Sequence, residues 1–372
     1  MRTSWRIGSL FGIEIRIDSS WIIIFTFVTW ALSSVYFPNR FPGWPQWQYW
    51  IIGVVTSLLF FASVLGHELT HSLVAMRQGE EVRSITLFIL GGVAELKGEP
   101  ESPFKEFSMA FVGPLSSMII ALFFWALSLI FRDLNQPLWA LTRYLGLINL
   151  IIGIFNLIPG FPMDGGRVLR AIIWKVTGNL RRSTRIASVA GQTIAFLFIM
   201  FGIFLIFSRA IFNGLWMVFI GWFIHSAAAR GYKQVVMKDM LKDIRARDLM
   251  NREFETVSRD LPLQELIDEH ILKRRQRAFL VFDRNQLDGI ICLDDVKAVP
   301  RGKWTTTRVG EIMTPKEKLE TVFPEDDGTS VLAKLTGKNV NQVPVVRGEK
   351  VEGILCRSDV LELLQLRAEL GV

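Results

Sequence analysis

The sequence predicts a polytopic α-helical membrane protein, with six transmembrane helices and a membrane-associated β-hairpin, followed by a cytoplasmic α/β domain made of two repeats. Three observations support this prediction. Residues 19 to 229 are mostly apolar with long uncharged runs, whereas residues 230 to 372 have an ordinary, charged composition. The charged region contains a pattern that recurs at an offset of 64 residues. A chain of 372 residues is also long enough for two domains.

Six apolar segments are each near or above the roughly 20 residues that a helix needs to cross a bilayer. The predicted spans are Ser19–Phe37, Trp50–Met76, Phe104–Phe131, Leu138–Ile158, Thr184–Phe207 and Ile211–Ala229. Basic residues flank these spans on alternate sides, which by the positive-inside rule predicts a multi-pass protein of the cell (inner) membrane with both termini in the cytoplasm. These flanking residues are Arg2, Arg6, Arg16, Arg77, Arg83, Lys97, Lys105, Arg167, Arg170, Lys175, Arg181, Arg182, Arg185, Arg230, Lys233, Lys238 and Lys242.

The formal net charge of +7 needs no nucleic-acid partner, because much of the excess lies in these flanks, where it suits anionic lipid. The first residues lack a cleavage site before a full-length membrane helix, so we expect no signal-peptide processing. Cys292 and Cys356 are the only cysteines, and both fall in the predicted cytoplasmic part. They imply no disulfide framework.

The second span carries the motif His67-Glu68-Leu69-Thr70-His71. Residues four apart project from one helix face, so His67 and His71 can bind one divalent metal while Glu68 reaches water on that metal. In a soluble helix the same residues could simply be a solvated face. Within a membrane helix an ionisable group costs roughly 2.5 kcal/mol or more, which favours a functional zinc site.

Residues Glu80–Lys97 are predicted to form two short β segments around a turn at Gly91 and Gly92. Apolar strands beside a membrane metal indicate a re-entrant hairpin, whose exposed edge could accept an extended peptide as an added strand. We therefore expect Gly91 and Gly92 to contribute to substrate binding. The alternative is an amphipathic hairpin that lies on the membrane surface.

Small residues recur on the third span at Ala110, Gly113, Ser117 and Ala121, and we interpret them as a helix-packing surface. His225, in the sixth span, is interpreted as an interfacial histidine.

The fourth span has one small, polar face, formed by Gly146, Asn149, Gly153 and Asn156. We expect Asn149 to contact substrate. Two prolines and two glycines then break the helix and hold Asp164 on a rigid turn. Asp164 is either the N-cap of the following segment or a third, oxygen ligand, which would complete a His-His-Asp set with one open position, as in catalytic zinc sites.

The charged region consists of a linker at 230–245 and a tandem domain at 246–372, with repeats at about 246–303 and 309–366. The segment Asp288–Val296 matches Glu352–Val360, and each repeat contains an apolar strand, at Ala278–Phe282 and at Val343–Val346. Each repeat is predicted to consist of an opening segment, a helix, two strands and a closing helix.

The apolar H-E-x-x-H motif, together with Asn156-x-x-Pro159-x-x-Pro162-x-Asp164-Gly165, resembles the site-2 protease family of intramembrane zinc metalloproteases. The resemblance covers residues 1 to 229. It implies that His67, His71 and Asp164 bind zinc, that Glu68 is the general base, that Asn156 assists substrate or oxyanion binding, and that the hairpin receives the substrate strand. Residues 246 to 366 resemble a pair of CBS domains, a combination known in one prokaryotic branch of that family.

The predicted function is regulated intramembrane proteolysis: zinc-dependent hydrolysis of a peptide bond in or near a transmembrane segment of a membrane-anchored protein. The alternatives are a CBS-regulated metal-ion or proton-coupled transporter and a catalytically silent scaffold. The CBS resemblance implies an adenine nucleotide near Asp295 and Asp359, although Cys292 and Cys356 replace the usual hydroxyl residues. The other interpretation is a structural CBS pair, which could form a homodimer.

Overall fold

The computed structural model of the chain describes residues 4–89, 91–96, 100–241, 243–274, 276–284, 286–337, 340–348 and 350–370. The predictions made for Arg2, Leu90, Lys97 and Lys242 therefore lie outside the described residues. The chain divides into two compact units, Met1–Lys233 and Gln234–Val372. The division falls within the segment 230–245 that the sequence predicts as a linker.

Within the described residues, six helices are long and apolar enough to cross a membrane, which confirms the predicted number. The first combines α1 (Ser19–Ala31), a π-helical turn and α2 (Phe37–Arg40). The remaining helices of this part are α3 (Gln46–Arg77), α4 (Pro103–Phe131), α5 (Gln136–Asn156), the shorter α6 (Asp164–Thr177), α7 (Leu180–Phe207) and α8 (Ile211–Leu241). Helices α1, α4, α5 and α7 each begin after an N-cap residue whose side chain accepts a hydrogen bond from a backbone N–H of the first turn. These caps are Asp18, Ser102, Asn135 and Asn179.

The membrane unit also contains a four-stranded sheet with the order β1-β2-β3-β4. Its strands are β1 (Ser4–Leu10), β2 (Ile13–Asp18), β3 (Val82–Phe88) and β4 (Gly91–Leu96). Strands β1 and β2 form an antiparallel hairpin, β2 pairs with β3 in parallel, and β3 pairs with β4 antiparallel. The predicted hairpin is present, but the turn was placed wrongly. Because Phe88 pairs with Gly91, the two glycines begin β4 instead of forming the turn.

One face of this sheet packs against α3. Ile13 and Ile15 of β2 and Ile85 of β3 are buried in a cluster that includes Leu65 and Leu69 of α3. The alternation of strand β2 explains this arrangement, because its odd-numbered isoleucines point to the helix while Glu14 and Arg16 pair on the other face. The sheet thus lies beside the turn of α3 that carries His67.

The second unit has a mixed α/β fold with two sheets, ordered β5-β6-β7-β8 and β10-β9. Its strands are β5 (Thr256–Ser258), β6 (Ala278–Asp283), β7 (Gln286–Cys292), β8 (Thr314–Pro315), β9 (Gln342–Arg347) and β10 (Lys350–Cys356). Its helices are α9 (Ala246–Leu249), α10 (Leu263–Glu265), α11 (Leu293–Lys297), α12 (Val309–Ile312), α13 (Gly328–Gly337) and α14 (Arg357–Leu370). The two predicted apolar strands correspond to β6 and β9.

The opening segments of the two repeats are exchanged. Leu249, in the first repeat of the sequence, is buried in a core with Val343, Val345 and Leu355 of the second repeat. Conversely, Val309 is buried in the core formed by the first repeat. Each core therefore contains residues from both repeats. The core of the second repeat also buries Met240 and Leu241 from the end of α8.

Candidate metal centre

Helix α3 brings two imidazoles together at its buried face. His67 and His71 are only 4% and 7% exposed, and their ring centroids are 4.8 Å apart. One helical turn separates them, so both Nε2 atoms point the same way and lie 3.2 Å from each other. The predicted pair of nitrogen donors is thus present on one helix.

Asp164 completes the group from a distant part of the chain. Its Oδ2 lies 3.1 Å from Nε2 of His67 and 3.1 Å from Nε2 of His71. The interpretation of Asp164 as an N-cap is wrong, because Met163 is the N-cap of α6 and Asp164 is the first helical residue. That position turns the carboxylate toward the histidines.

Close packing against α7 holds the turn that precedes Asp164. The Phe161 N–H donates to the Ala187 carbonyl oxygen over 3.1 Å. A Cβ atom added at Gly191 of α7 would lie 2.0 Å from the Phe161 oxygen, and one added at Gly166 would lie 2.3 Å from the carbonyl carbon of Gly160. Only glycine permits this backbone approach, and the approach fixes the position of Asp164.

Helix α4 contacts both imidazoles from the outside. His67 Nδ1 lies 2.9 Å from Ser117 Oγ, and His71 Nδ1 lies 2.6 Å from the Met109 carbonyl oxygen. Gly113 provides the space, because a Cβ atom there would lie 2.0 Å from His71 Nε2. From the sequence this face of α4 was interpreted as a helix-packing surface, so its contacts with the two imidazoles were not predicted. The recurring small residues were the available signal.

A buried ion pair connects α4 to α6. Glu106 is fully buried, and its Oε1 accepts a hydrogen bond of 2.6 Å from Arg170 Nε. Its Oε2 has no hydrogen-bond partner among the residues that the structure describes. The Arg170 guanidinium also lies 5.3 Å from the centroid of the Phe161 ring. Because Phe161 belongs to the turn that precedes Asp164, this pair supports that turn from its other side.

Glu68, the residue after His67, lies against the sheet. A Cβ atom added at Gly92 would be 2.5 Å from Glu68 Cγ and 3.2 Å from its Cδ, so the backbone of β4 contacts this side chain closely. The structure therefore brings together Glu68 and one of the two hairpin glycines. Gly91 precedes it, with a φ of 133° that favours glycine.

The two predicted asparagines occupy different surroundings. Asn149 is fully buried, where its Nδ2 donates to Ser63 Oγ over 3.3 Å and to the Leu145 carbonyl oxygen over 2.8 Å. The hydrogen bond to Ser63 links α5 to α3 at a position four residues before His67. Asn156 is the last residue of α5 and is half-buried. Contact of either residue with substrate stays a prediction.

The donor set fits a zinc ion. The structure shows three ligand atoms, from His67, His71 and Asp164, that all lie within 4.8 Å of one another. Two imidazole nitrogens and one carboxylate oxygen are ligands typical of catalytic zinc, and such sites keep an open position. The contact of each outer imidazole nitrogen with α4 is also usual for metal-binding histidines.

The predicted nucleotide residues lie in the second unit. Asp295 Oδ2 accepts the backbone N–H of Cys292 over 2.8 Å, and Ser358 Oγ donates to Asp359 Oδ1 over 3.0 Å. Burial raises the pKa of the Cys292 thiol to about 12 and that of Cys356 to about 11. Both thiols therefore stay protonated at neutral pH. The binding of a nucleotide near Asp295 and Asp359 stays a prediction.

Comparison with known proteins matches both parts of the chain. Residues 55–133 and 131–201 match peptidase family M50, and residues 246–302 and 309–366 match the CBS domain. A Synechocystis sp. protein, provisionally named a zinc metalloprotease, is 34% identical over 375 residues, covering 99% of this chain and 97% of that protein. A zinc metalloprotease of Methanocaldococcus jannaschii is 31% identical over 373 residues, covering 100% and 99%. Among solved structures, the site-2 protease from Methanocaldococcus jannaschii is 31% identical with a TM-score of 0.45, covering 62% of this chain and 95% of that one.

Proposed function

The chain belongs to peptidase family M50, the site-2 proteases, and within this family we propose that it hydrolyses a peptide bond in or near a transmembrane segment of a membrane-anchored protein. Membership makes it a zinc metalloendopeptidase with membrane-spanning helices and a CBS domain pair. The observation that carries the proposal is the convergence of His67, His71 and Asp164 within a membrane unit. Its cellular role would be regulated intramembrane proteolysis.

His67, His71 and Asp164 would hold the zinc ion. When bound, zinc supplies Lewis acidity, which polarises a carbonyl oxygen and lowers the pKa of water. The protein contributes the fixed positions of the ligands. The buried contacts of both imidazoles with α4 keep their Nε2 atoms directed to one point.

Glu68 would act as the general base. Its place in the motif, one residue after His67, sets it beside the metal centre, and β4 covers its other side. There its carboxylate would accept a proton from water and later deliver that proton to the leaving amine. Asn156, at the end of α5, would assist substrate or oxyanion binding.

The substrate would bind as an extended strand at β4. In the described sheet, β4 pairs with β3 on one side only, so its other edge offers backbone hydrogen-bonding groups. A transmembrane helix must unwind before cleavage, because its carbonyl groups are hydrogen-bonded and shielded; pairing with β4 would replace the lost bonds. Gly91 and Gly92 would let that strand approach Glu68.

The test uses the purified full-length protein in detergent and two tagged membrane-anchored reporters. One reporter has a leucine-only transmembrane segment, and the other has a glycine-proline pair in the same segment. We expect fragments from the second reporter, less from the first, and none from either in the presence of a zinc chelator. Fragments that persist with the chelator would contradict the proposal. A transporter would give no fragments, but it would carry metal ions or protons into liposomes.

The CBS pair would regulate the membrane unit by binding an adenine nucleotide near Asp295 and Asp359. Thermal unfolding with AMP, ADP and ATP tests this, since a ligand that binds the folded state raises the unfolding temperature. The matched variant is Asp295→Asn with Asp359→Asn, in which the shift should disappear. If no nucleotide shifts the wild type, the CBS pair is structural, and a homodimer becomes the expected arrangement.

The protein would lie in the cell (inner) membrane with both termini in the cytoplasm. The supporting observation is the concentration of arginine and lysine on alternate loops. Cysteine labelling of the Arg132–Asn135 region in intact cells tests this orientation, because that loop should be reached by an impermeant reagent from outside.

A further inference from the structure

The two imidazoles of the metal centre have different partners at their outer nitrogens. His71 Nδ1 faces a backbone carbonyl oxygen, that of Met109, over 2.6 Å. A carbonyl oxygen only accepts hydrogen bonds, so His71 Nδ1 must carry the hydrogen. The Nε2 lone pair of His71 is then always directed to the centre. His71 has a single tautomer imposed by the backbone of α4.

His67 faces a hydroxyl instead. Its Nδ1 lies 2.9 Å from Ser117 Oγ, and a serine hydroxyl can both donate and accept. Ser117 is therefore a suitable partner for either tautomer of His67. Both groups are buried, with Ser117 only 1% exposed, so water does not easily replace this contact.

The inner side of His67 explains why both tautomers matter. Its Nε2 lies 3.1 Å from Asp164 Oδ2 and 3.2 Å from His71 Nε2, and both of these atoms are acceptors. In protein stripped of metal, a hydrogen on His67 Nε2 can be donated to Asp164 Oδ2, while His71 Nε2, 3.1 Å from the same oxygen, keeps its lone pair. Once a cation binds, the same Nε2 must offer its lone pair, and the hydrogen belongs on Nδ1. The residue that contacts His67 Nδ1 must therefore donate a hydrogen bond in the metal-free protein and accept one in the metal-bound protein.

We propose that Ser117 is a positioning residue of the metal centre. Its hydroxyl donates to Nδ1 of His67 when the ring donates to Asp164, and accepts from Nδ1 when the ring binds metal. The imidazole thereby changes role without moving. This inference rests on the proposed function, since it concerns the zinc ion that His67, His71 and Asp164 would hold.

A packing role for Ser117 makes a different prediction. The packing contacts of a serine come mainly from its Cβ, which lies 3.5 Å from where a Cβ at Gly153 of α5 would be. Alanine keeps that atom and removes only Oγ. Ser128 provides the matched control, because it lies on the same helix, is 7% exposed, and, within the described part of the chain, donates its hydroxyl only to the Trp125 carbonyl oxygen of α4.

The experiment is zinc titration of the chelator-treated full-length protein in detergent. We expect the dissociation constant of Ser117→Ala to be roughly 10- to 100-fold higher than that of the wild type, as for other partners of metal-binding histidines. Ser128→Ala should match the wild type, and Ser117→Thr, which keeps a hydroxyl, should restore most of the affinity. Unchanged affinity in Ser117→Ala, or equal losses in Ser117→Ala and Ser128→Ala, would overturn the proposal.

Nitrogen-15 NMR of labelled histidine gives a second readout, which a packing role would not move. The chain has four histidines, so single substitutions at His225 and His270 identify two signals, and His71→Gln in the chelator-treated protein separates the signal of His67 from that of His71. We expect zinc to shift His67 from the Nε2–H to the Nδ1–H tautomer while His71 keeps its hydrogen on Nδ1. A His67 tautomer that is the same with and without zinc would refute the inference alone. A wild-type protein that binds no zinc would instead refute the proposed function.

Discussion

At the scale of single residues, the proposed chemistry depends on Glu68, whose side chain lies against β4. Glu68→Gln keeps the shape of the side chain but removes its ability to accept a proton. We expect reporter cleavage to fall by roughly two to four orders of magnitude, the usual contribution of a general base. The zinc content per chain, measured by atomic absorption, should equal that of the wild type. Loss of zinc from this variant would make Glu68 a ligand instead of the base.

Gly113 gives a second residue-scale prediction. In the Gly113→Ala variant the added Cβ would lie 2.0 Å from His71 Nε2, which is too close for two non-bonded atoms. The ring must move, so we expect zinc content and reporter cleavage to be lost together. Gly66→Ala is the control, since its Cβ would lie 3.7 Å from Ile120 and meets ordinary contact. Equal zinc content in the two variants would contradict this role for Gly113.

The three candidate metal ligands could be predicted from sequence, but the residues that contact them could not. His67 and His71 lie on one helix, so their spacing alone fixes a shared face. Asp164 was predicted as a candidate because of its unusual turn, and the family resemblance then favoured it as a ligand. By contrast, the contact of Ser117 with His67 depends on how α4 rotates against α3. That rotation is set by packing across the whole helix pair, which no local pattern encodes.

At the scale of elements, the backbone of β4 packs closely against the Glu68 side chain. Gly92→Ala would add a Cβ 2.5 Å from Glu68 Cγ, so either the strand or the carboxylate must shift. We expect slower reporter cleavage with unchanged zinc content, because the three ligands are not touched. Gly8→Ala is the control within the same sheet, since no atom of the described residues lies within 4 Å of its added Cβ. Equal cleavage rates for both variants would argue against an active role of β4.

The sheet shows which elements a sequence can predict. The two apolar segments of Glu80–Lys97, separated by a pair of glycines, indicated a hairpin. The parallel pairing of β2 with β3 was not predicted, because α1 and α3 separate these strands in the chain. Such non-local pairing leaves no periodic signal. The hairpin turn was predicted at Gly91 and Gly92 because glycine is typical of turns. Glycine also occurs in strands where another group approaches the backbone closely, as Glu68 approaches Gly92 here.

At the scale of the whole molecule, the end of α8 contributes to the fold of the second unit. Met240, Leu241 and Ile244 are buried in its core, at 6%, 0% and 6% exposure. Burying each such side chain is worth roughly 1.5–3 kcal/mol. We therefore expect a fragment of residues 246–372 to unfold at least about 10 °C below a fragment of residues 234–372 in a calorimetric scan. Equal unfolding temperatures would show that these residues are dispensable.

The division of the chain and its internal repeat were predictable because composition and self-similarity are visible in a single sequence. The exchange of opening segments between the two repeats was not predicted. In the sequence Leu249 belongs to the first repeat, whereas in the fold it is buried with Val343 and Leu355 of the second. The repeats of the sequence therefore do not coincide with the two hydrophobic cores, because each core buries residues from both repeats.

The parallel pairing of β2 with β3 also constrains the order in which the membrane unit can fold during synthesis. Strand β2 leaves the ribosome before α1 and α3, yet it cannot pair with β3 until both helices have been made. The side chain at Asp164 is translated later still, after α5. During synthesis the nascent chain therefore holds an unfinished sheet and two imidazoles without their carboxylate partner. The proposed metal centre is therefore complete only after α6 has been synthesised, so hydrolytic activity would not precede the synthesis of α3, α4 and α5.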